Sequence, residues 1–198
     1  MKKLTAVLFV AAAMFAFGAA TISAQKKTPR TVEDFYMLLP AKYIQPLGEM
    51  KDRKKLIKTR DVANGYLYLS GEKAIPGWEG WAEIALFKKT NGEYVVGVVD
   101  GSCATICYSG VEFLEYKNGK WSEITSRVLP EISDEMILSR YKKLFPDSTE
   151  YSQGDPPYTN YELPQKGTTI KMNANEGGDG NIALFELTWN GTRFNMKK

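Results

Sequence analysis

Three Asn-Gly pairs constrain this chain more than any other feature, because each stands between two runs rich in apolar and β-branched residues. The pairs are Asn91-Gly92, Asn118-Gly119 and Asn190-Gly191. Both central residues of a type I′ hairpin turn take positive φ, which glycine adopts freely and asparagine tolerates better than most residues. The sequence therefore predicts three antiparallel hairpins.

Strands are expected on both sides of each turn. They cover residues 81–87 with 93–99, 111–116 with 120–125, and 182–189 with 192–196, and two more are expected at 66–69 and 168–172. Both faces of segment 94–99 are apolar or small, as is typical of a strand that is covered on both sides, so it should lie centrally. The Pro-containing stretch 147–167 and the Gly-rich stretch 173–181 are expected to be loops.

Two helices interrupt the β pattern, at about 31–39 and 133–145. Thr31 and Ser133 are suitable N-caps, acidic residues follow each of them, and Pro40 and Pro146 end the segments. Apolar residues recur at helical spacing, so each helix should pack against a sheet. The fold class is therefore predicted to be mainly β: an antiparallel meander of Asn-Gly hairpins, as a sandwich or an open barrel-like sheet, with two short packing helices.

The first 24 residues have the pattern of a secretory signal peptide. Lys2 and Lys3 form a basic start, residues 4–20 are apolar and uncharged, and Ala24 ends a suitable cleavage site. A retained anchor is the alternative, but a spanning helix needs about 20 apolar residues and this run is shorter. We expect export to the periplasm or the exterior, with residues 25–198 forming a single β-rich domain that is not anchored in the membrane.

Charge argues against nucleic-acid binding. The chain has 26 basic and 23 acidic residues, and removal of residues 1–24 takes away only Lys2 and Lys3, leaving a net charge of 24 − 23 = +1. The basic run 51–58 contains Asp52 and is interpreted as a short solvated helix or strand face. A groove that follows phosphates needs a sustained basic face, so no nucleic-acid partner is expected.

The chain contains no histidine. Ser-His-Asp and Cys-His catalysis are therefore impossible within it, and common zinc sites lose their usual nitrogen ligand. No cofactor and no catalytic residue is predicted, and an enzyme would have to rely on other groups. Asp100, Glu112 and Glu115 lie near the predicted sheet and could supply the carboxyl pair of a glycosidase-like hydrolase.

Cys103 and Cys107 lie in the stretch that joins the first two long hairpins. Export favours a disulfide between them, and two separate thiols or a redox or metal pair are the alternatives. In an extended strand their Cα atoms would be about 13 Å apart. A disulfide needs about 4.4–6.8 Å, so the chain must fold back between them.

No metal site is predicted, and only a weak calcium candidate exists. Asn173, Asn175 and Asp179 place oxygen ligands in a glycine-rich stretch, but the spacing departs from the EF-hand pattern. A flexible hairpin loop is the favoured interpretation of this stretch.

Aromatic residues are the strongest indication of binding. The candidates are Trp78, Trp81, Tyr66, Tyr68, Tyr158 and Tyr161. Exposed rings beside a sheet can stack on sugars or anchor proteins, although most of these rings are expected in the core. The predicted function is an exported, non-enzymatic binding protein of the cell envelope or exterior that recognises a protein or glycan partner. The alternative is a carboxylate-dependent hydrolase acting on an envelope glycan.

Overall fold

The computed structural model describes residues 29–47, 52–75, 78–103, 107–146, 155–175 and 181–197, with only the backbone at 72–75, 78–79, 107–108 and 175. The expected signal peptide, residues 1–24, lies outside these ranges. Within them, no helix has both the length and the apolar character needed to cross a membrane.

The larger sheet, which we call sheet A, is a meander in which each strand pairs antiparallel with the next strand along the chain. Its strands are Ile57–Asp61 (β1), Tyr66–Ile75 (β2), Trp78–Lys88 (β3), Tyr94–Cys103 (β4), Cys107–Lys117 (β5) and Lys120–Glu123 (β6). As expected, β4 lies near the centre, and Val95 to Val99 are buried on both faces.

The smaller sheet, sheet B, has four antiparallel strands in the order β10-β9-β8-β7. These are Thr159–Glu162 (β7), Thr169–Asn175 (β8), Asn181–Trp189 (β9) and Phe194–Met196 (β10). The helices are Val32–Leu38 (α1), Thr125–Val128 (α2) and Asp134–Leu144 (α3), and 3-10 segments follow α1 at Ala41–Leu47 and Arg53–Leu56.

Sheet A is covered on both faces. On one face, which we call the helix-covered face, Val96, Val98 and Leu114 pack under α1 and the segment Ala41–Leu47. On the other, the inter-sheet face, Phe87, Val99 and Phe113 pack against sheet B. Helix α3 covers the far side of sheet B through a cluster that includes Ile137, Tyr141 and Leu184. The result is a two-sheet sandwich with helices on its outer faces.

The predicted fold class is confirmed: the chain is mainly β, with two antiparallel sheets and few short helices. Thr31 caps α1 through a capping box with Asp34, and Ser133 accepts the Met136 N–H at the start of α3. Gly92, Gly119 and Gly191 all have positive φ, but of the three asparagines only Asn118 does, so the expected type I′ geometry is present at Asn118-Gly119 and not at the other two turns.

Three local expectations were wrong. Part of the expected loop 147–167 forms strand β7, and residues 173–175 of the expected loop 173–181 belong to strand β8. The segment expected to continue β6 to Thr125 instead turns into α2, where the Thr125 hydroxyl accepts the Phe113 N–H. In each case a tertiary contact outweighs the local pattern, as is common for short elements.

Candidate functional site

The aromatic residues proposed from sequence are spread over the inter-sheet face and its margins. Tyr66 is buried at 7% exposure, and Tyr68, Trp81 and Tyr161 are partly buried beside it in the inter-sheet core. Tyr158 is 63% exposed just before β7. Trp78 begins β3 opposite Ile75, and its side chain lies outside the described part of the chain. These residues form no common surface within the described part of the chain.

The two cysteines stand directly opposite each other. Cys103 ends β4, Cys107 begins β5, and the register pairs them. Opposed residues of antiparallel strands have Cα atoms about 4.5–5.5 Å apart. This spacing falls within the range of about 4.4–6.8 Å that a disulfide needs. The fold-back that the sequence required for a disulfide is therefore present.

The calcium candidates fall partly outside the described residues. Asn173 lies inside β8 and is only 2% exposed, whereas the side chain of Asn175 and all of Asp179 are not described. Across the residues that the structure does describe, no three of the acidic, cysteine or histidine side chains group in a way that could hold a metal ion.

The carboxyl groups named from sequence separate into two places. Asp100 and Glu112 lie on the helix-covered face, because Asp100 pairs with Gly110 and Glu112 with Val98. Burial raises the pKa of Asp100 to about 6. Burial and the neighbouring Asp100 carboxylate also raise the pKa of Glu112. Glu115 has the opposite parity in β5 and therefore points away from this pair.

A cavity of about 590 Å³ lies at the end of sheet A where β4 begins and β5 ends. It lies between the N-terminal end of α1, the turn that contains Asn91 and Gly92, and the last residues of β5. Its size is within the range of about 300–1,000 Å³ that is usual for ligand pockets.

Aromatic rings form the floor of this cavity. Phe35 from α1 lies edge-on to Tyr94 of β4 and to Tyr116 of β5, with ring centroids 6.2 and 6.5 Å away. Trp121 supports Tyr116 from behind at 5.0 Å and donates its indole N–H to the Leu38 carbonyl, which fixes the end of α1. The floor is thus held rigidly by both strands and the helix.

Two phenol hydroxyls at the floor are not used by the protein. Within the described residues, neither Tyr94 nor Tyr116 has a hydrogen-bond partner for its hydroxyl. Both side chains are only partly buried. A ligand in the cavity can therefore meet two ring surfaces and two donor–acceptor groups that are free to bond.

Charged residues at the rim compensate one another. The Lys89 Nζ lies 2.7 Å from Glu115 Oε1 and 3.3 Å from Glu93 Oε2. The Lys117 Nζ lies 3.2 Å from the same Glu93 oxygen and 3.6 Å from Glu115 Oε2. Two cations and two anions thus alternate in a closed ring that joins the β3–β4 turn to the end of β5.

The pKa values follow from this ring. Hydrogen bonds from the Asn91 amide and from the Lys117 and Lys89 ammonium groups lower the pKa of Glu93 to about 2. The Lys89 hydrogen bond lowers the pKa of Glu115, and the same bond raises the pKa of Lys89. The shifts of Glu93, Glu115 and Lys89 all favour the charged form, as expected for an ion-pair ring.

Sequence reasoning missed these floor residues, although a signal was present. Tyr94 follows one Asn-Gly turn and Tyr116 precedes the next, so a meander brings both to the same end of the sheet. The register places them two residues beyond the paired Val96 and Leu114, on the same face. Phe35 could not be added without knowing where α1 docks.

No protein-family model and no curated protein matches this chain in sequence. Among solved structures, a domain of an uncharacterized protein from Porphyromonas gingivalis W83 is similar, with a TM-score of 0.53 and 12% identical residues. The match covers 84% of this chain and 97% of that one. At this identity the likeness concerns the fold alone.

Proposed function

We propose that this chain is an exported, non-enzymatic binding protein of the envelope or exterior that recognises a glycan in the cavity between α1 and the ends of β4 and β5. The observation that carries the proposal is the cavity floor, which offers the rings of Tyr94 and Tyr116 together with hydroxyls that have no hydrogen-bond partner among the described residues. Sugars present apolar faces and many hydroxyl groups, so both features have a counterpart in such a ligand.

The charge of the rim favours an uncharged ligand. Because Lys89, Lys117, Glu93 and Glu115 satisfy one another, an anion or a cation would have to compete with an existing ion pair. Arg30 is the remaining charged residue of the lining and is exposed. A neutral oligosaccharide is therefore preferred over a phosphorylated or polyamine ligand.

The test is a titration of the chain with a panel of neutral cell-wall and capsular oligosaccharides, followed by NMR and by thermal shift. In Tyr94→Phe and Tyr116→Phe the ring remains and the hydroxyl is removed, so affinity should fall roughly fivefold for each lost hydrogen bond of about 1 kcal/mol. Tyr158→Phe is the matched control, because its exposed hydroxyl is remote from the cavity lining. The proposal fails if no oligosaccharide binds or if both cavity variants bind as well as the control.

Export and the disulfide are separate proposals with their own tests. The signal-peptide pattern supports cleavage after Ala24, and N-terminal sequencing of the protein recovered from cell envelopes or medium would reveal the mature end. The opposed register of Cys103 and Cys107 supports a disulfide in that compartment. Peptide mapping without reduction should recover the two cysteines as one linked species.

A carboxylate-dependent hydrolase is the second candidate, and Asp100 with Glu112 is the observation that favours it. The two residues are diagonal neighbours on β4 and β5, an arrangement that places their Cα atoms about 7–8 Å apart and leaves the carboxyl spacing to the side-chain rotamers. Inverting glycosidases hold their carboxyl groups about 6.5–9.5 Å apart. A hydrolase would lose turnover in Asp100→Asn and Glu112→Gln, whereas a binder in the cavity would keep its affinity in both variants.

A further inference from the structure

The four Asn-Gly pairs of the described chain differ in how their reactive atoms are held. In such a pair, the backbone nitrogen of glycine can attack the side-chain carbonyl carbon of asparagine, because glycine has no side chain to hinder the approach. Hydrogen bonds from the glycine N–H oppose the reaction because they engage the attacking nitrogen, and hydrogen bonds to the asparagine side chain oppose it because they hinder the rotation that brings Cγ to that nitrogen. The hydrogen-bond pattern of each pair therefore ranks its reactivity.

In two of the pairs, both the asparagine side chain and the glycine N–H make hydrogen bonds. The Asn64 amide donates to Asp61, and the Gly65 N–H donates to the Val62 carbonyl. The Asn91 side chain donates to the Glu93 carboxylate and accepts the Glu93 N–H, while the Gly92 N–H donates to the Lys89 carbonyl.

In the third pair, the hydrogen bonds are made by the asparagine side chain. The Asn190 Oδ1 accepts from Thr192 N, Thr192 Oγ1 and Arg193 N, at 2.8–2.9 Å. The backbone of the adjoining Gly191 is also restrained, because its carbonyl accepts a hydrogen bond from the Thr90 N–H of the neighbouring hairpin. These three donors hold the Asn190 side chain in one orientation and hinder its rotation toward the Gly191 nitrogen.

Asn118-Gly119 has none of these restraints. Both residues are exposed, and within the described chain neither the Asn118 side chain nor the Gly119 N–H makes a hydrogen bond. The pair forms the two-residue tip between Lys117 and Lys120, with positive φ at both positions. The adjoining β6 is four residues long and lies at the edge of sheet A, so this tip is among the least costly parts of the sheet to open.

We propose that Asn118 is a site of spontaneous deamidation in the folded protein and that it reacts ahead of the other three Asn-Gly pairs. The Gly119 nitrogen loses its proton and bonds to Cγ of Asn118, and the side-chain nitrogen leaves as ammonia, which gives a cyclic succinimide. Water then opens the ring at one of its carbonyls and gives aspartate or isoaspartate. Water is the only co-reactant, and no oxidant or reductant is involved.

The product alters the hairpin beside the cavity. Isoaspartate adds a backbone carbon to a two-residue turn that is flanked by Lys117 and Lys120, and the next pair along the hairpin is Tyr116 with Trp121. Deamidation should therefore change the fluorescence of Trp121. An effect on ligand binding would rest on the proposed function, whereas the modification itself does not.

The experiment is to incubate the full chain at mildly alkaline pH and to digest samples with a Glu-specific protease. This protease releases the four pairs in separate peptides, residues 50–72, 84–93, 116–123 and 187–198, in which mass spectrometry separates asparagine, aspartate and isoaspartate. Conversion at Asn118 should be at least roughly fivefold faster than at any other pair, the ratio that one hydrogen bond of about 1 kcal/mol represents.

Two controls keep the result interpretable. Asn118→Gly retains the turn and should abolish the main product, whereas Asn190→Gly should leave conversion at Asn118 unchanged. In denaturant the four pairs of the wild-type chain should react at similar rates, because the fold sets the ranking. Equal or faster deamidation at another pair of the folded chain would overturn the proposal. It would also be overturned if Asn118 still reacted faster than the other three asparagines in denaturant.

Discussion

The inter-sheet space and the cavity use the same residue types, tyrosine and glutamate, in opposite ways. Between the sheets, the Glu83 carboxylate accepts the Leu163 N–H at 2.6 Å and a hydrogen bond from the Tyr66 hydroxyl. At the cavity, the glutamates pair with lysines and the Tyr94 hydroxyl lacks a partner within the described residues. The Glu83 and Tyr66 groups between the sheets are hydrogen-bonded to each other or to the backbone, the cavity glutamates are paired with lysines, and the Tyr94 hydroxyl is the group for which we propose a ligand.

The two environments also shift acidity in opposite directions. Burial raises the pKa of Glu83 to about 7, against the lowering effect of its hydrogen bonds. The Lys89 hydrogen bond lowers the pKa of Glu115. Between the sheets, desolvation is thus the main influence on the pKa of the carboxyl group. At the rim of the cavity, the main influence is pairing with a lysine. The inter-sheet carboxylate is thus bonded to a backbone N–H and a tyrosine, whereas the rim carboxylates are bonded to lysines.

The largest expected effect comes from the aromatic cluster that holds the two sheets together. Phe87 is 1% exposed, and its ring centroid lies 5.0 Å from that of Phe194 and 5.9 Å from that of Phe113. Phe87→Ala should lower the free energy of unfolding by about 3–5 kcal/mol, measured by urea denaturation. Tyr158→Ala, at an exposed position, should change it by less than about 0.5 kcal/mol. A loss below about 1 kcal/mol in Phe87→Ala would mean that this cluster does not hold the sheets together.

The second prediction concerns Glu83 and pH. Its pKa is raised from 4.5 to about 7 in the folded chain, so the fold favours the protonated carboxyl. Its contribution to stability is therefore complete below about pH 4.5 and is lost as the pH rises to about 7. A shift of this size corresponds to roughly 3 kcal/mol. Urea unfolding between these pH values should show the loss.

Glu83→Gln is the variant that isolates this group. Glutamine keeps an acceptor for the Leu163 N–H and cannot ionise, so the decrease in stability between pH 4.5 and 7 should become much smaller. At pH 8 the variant should be at least as stable as the wild type, since the buried charge is absent. Unchanged pH dependence in the variant would assign the effect to other carboxyl groups, of which Asp100 is the first to test.

How much of this contrast could be predicted from sequence depends on how local each feature is. The hairpins and helix caps depend on neighbouring residues, such as Asn118 with Gly119 or Thr31 with Asp34, and they were predicted correctly. Strand β7 was missed because its four residues follow a proline-rich stretch and are held by partners far along the chain, including the hydroxyl of Ser109. Short runs of this kind carry little periodicity.

The cavity was missed for a related reason. Its floor joins Phe35, Tyr94 and Tyr116 from three elements, and only the docking of α1 onto sheet A brings the first to the other two. Sequence proximity instead favoured rings such as Tyr66, which is part of the inter-sheet core. A binding site built from distant segments leaves no compact pattern in the sequence.

A smaller effect is expected when the ion-pair ring is opened. Lys89→Met keeps the apolar stem and removes the charge, so the pKa of Glu115 should rise from its lowered value, as followed by carboxyl NMR. A lowered pKa contributes stability at neutral pH that is lost as the pH falls, so the variant should lose about 1 kcal/mol near neutrality and less in acid. Lys55→Met, which removes a surface pair with Asp52, is the control and should have little effect. An unchanged pKa of Glu115 would contradict the role given to Lys89.

The smallest change tests the comparison most directly, because it removes a single hydroxyl from each region. Tyr66→Phe takes a hydrogen bond from the buried Glu83 carboxylate, so unfolding by urea at pH 8 should become easier by about 1–2 kcal/mol. Tyr94→Phe removes a hydroxyl that bonds to none of the described residues, and the free energy of unfolding should stay within about 0.5 kcal/mol of the wild type. An equal decrease in the free energy of unfolding of the two variants would mean that the Tyr94 hydroxyl stabilises the fold. The contrast between the inter-sheet space and the cavity would then no longer hold.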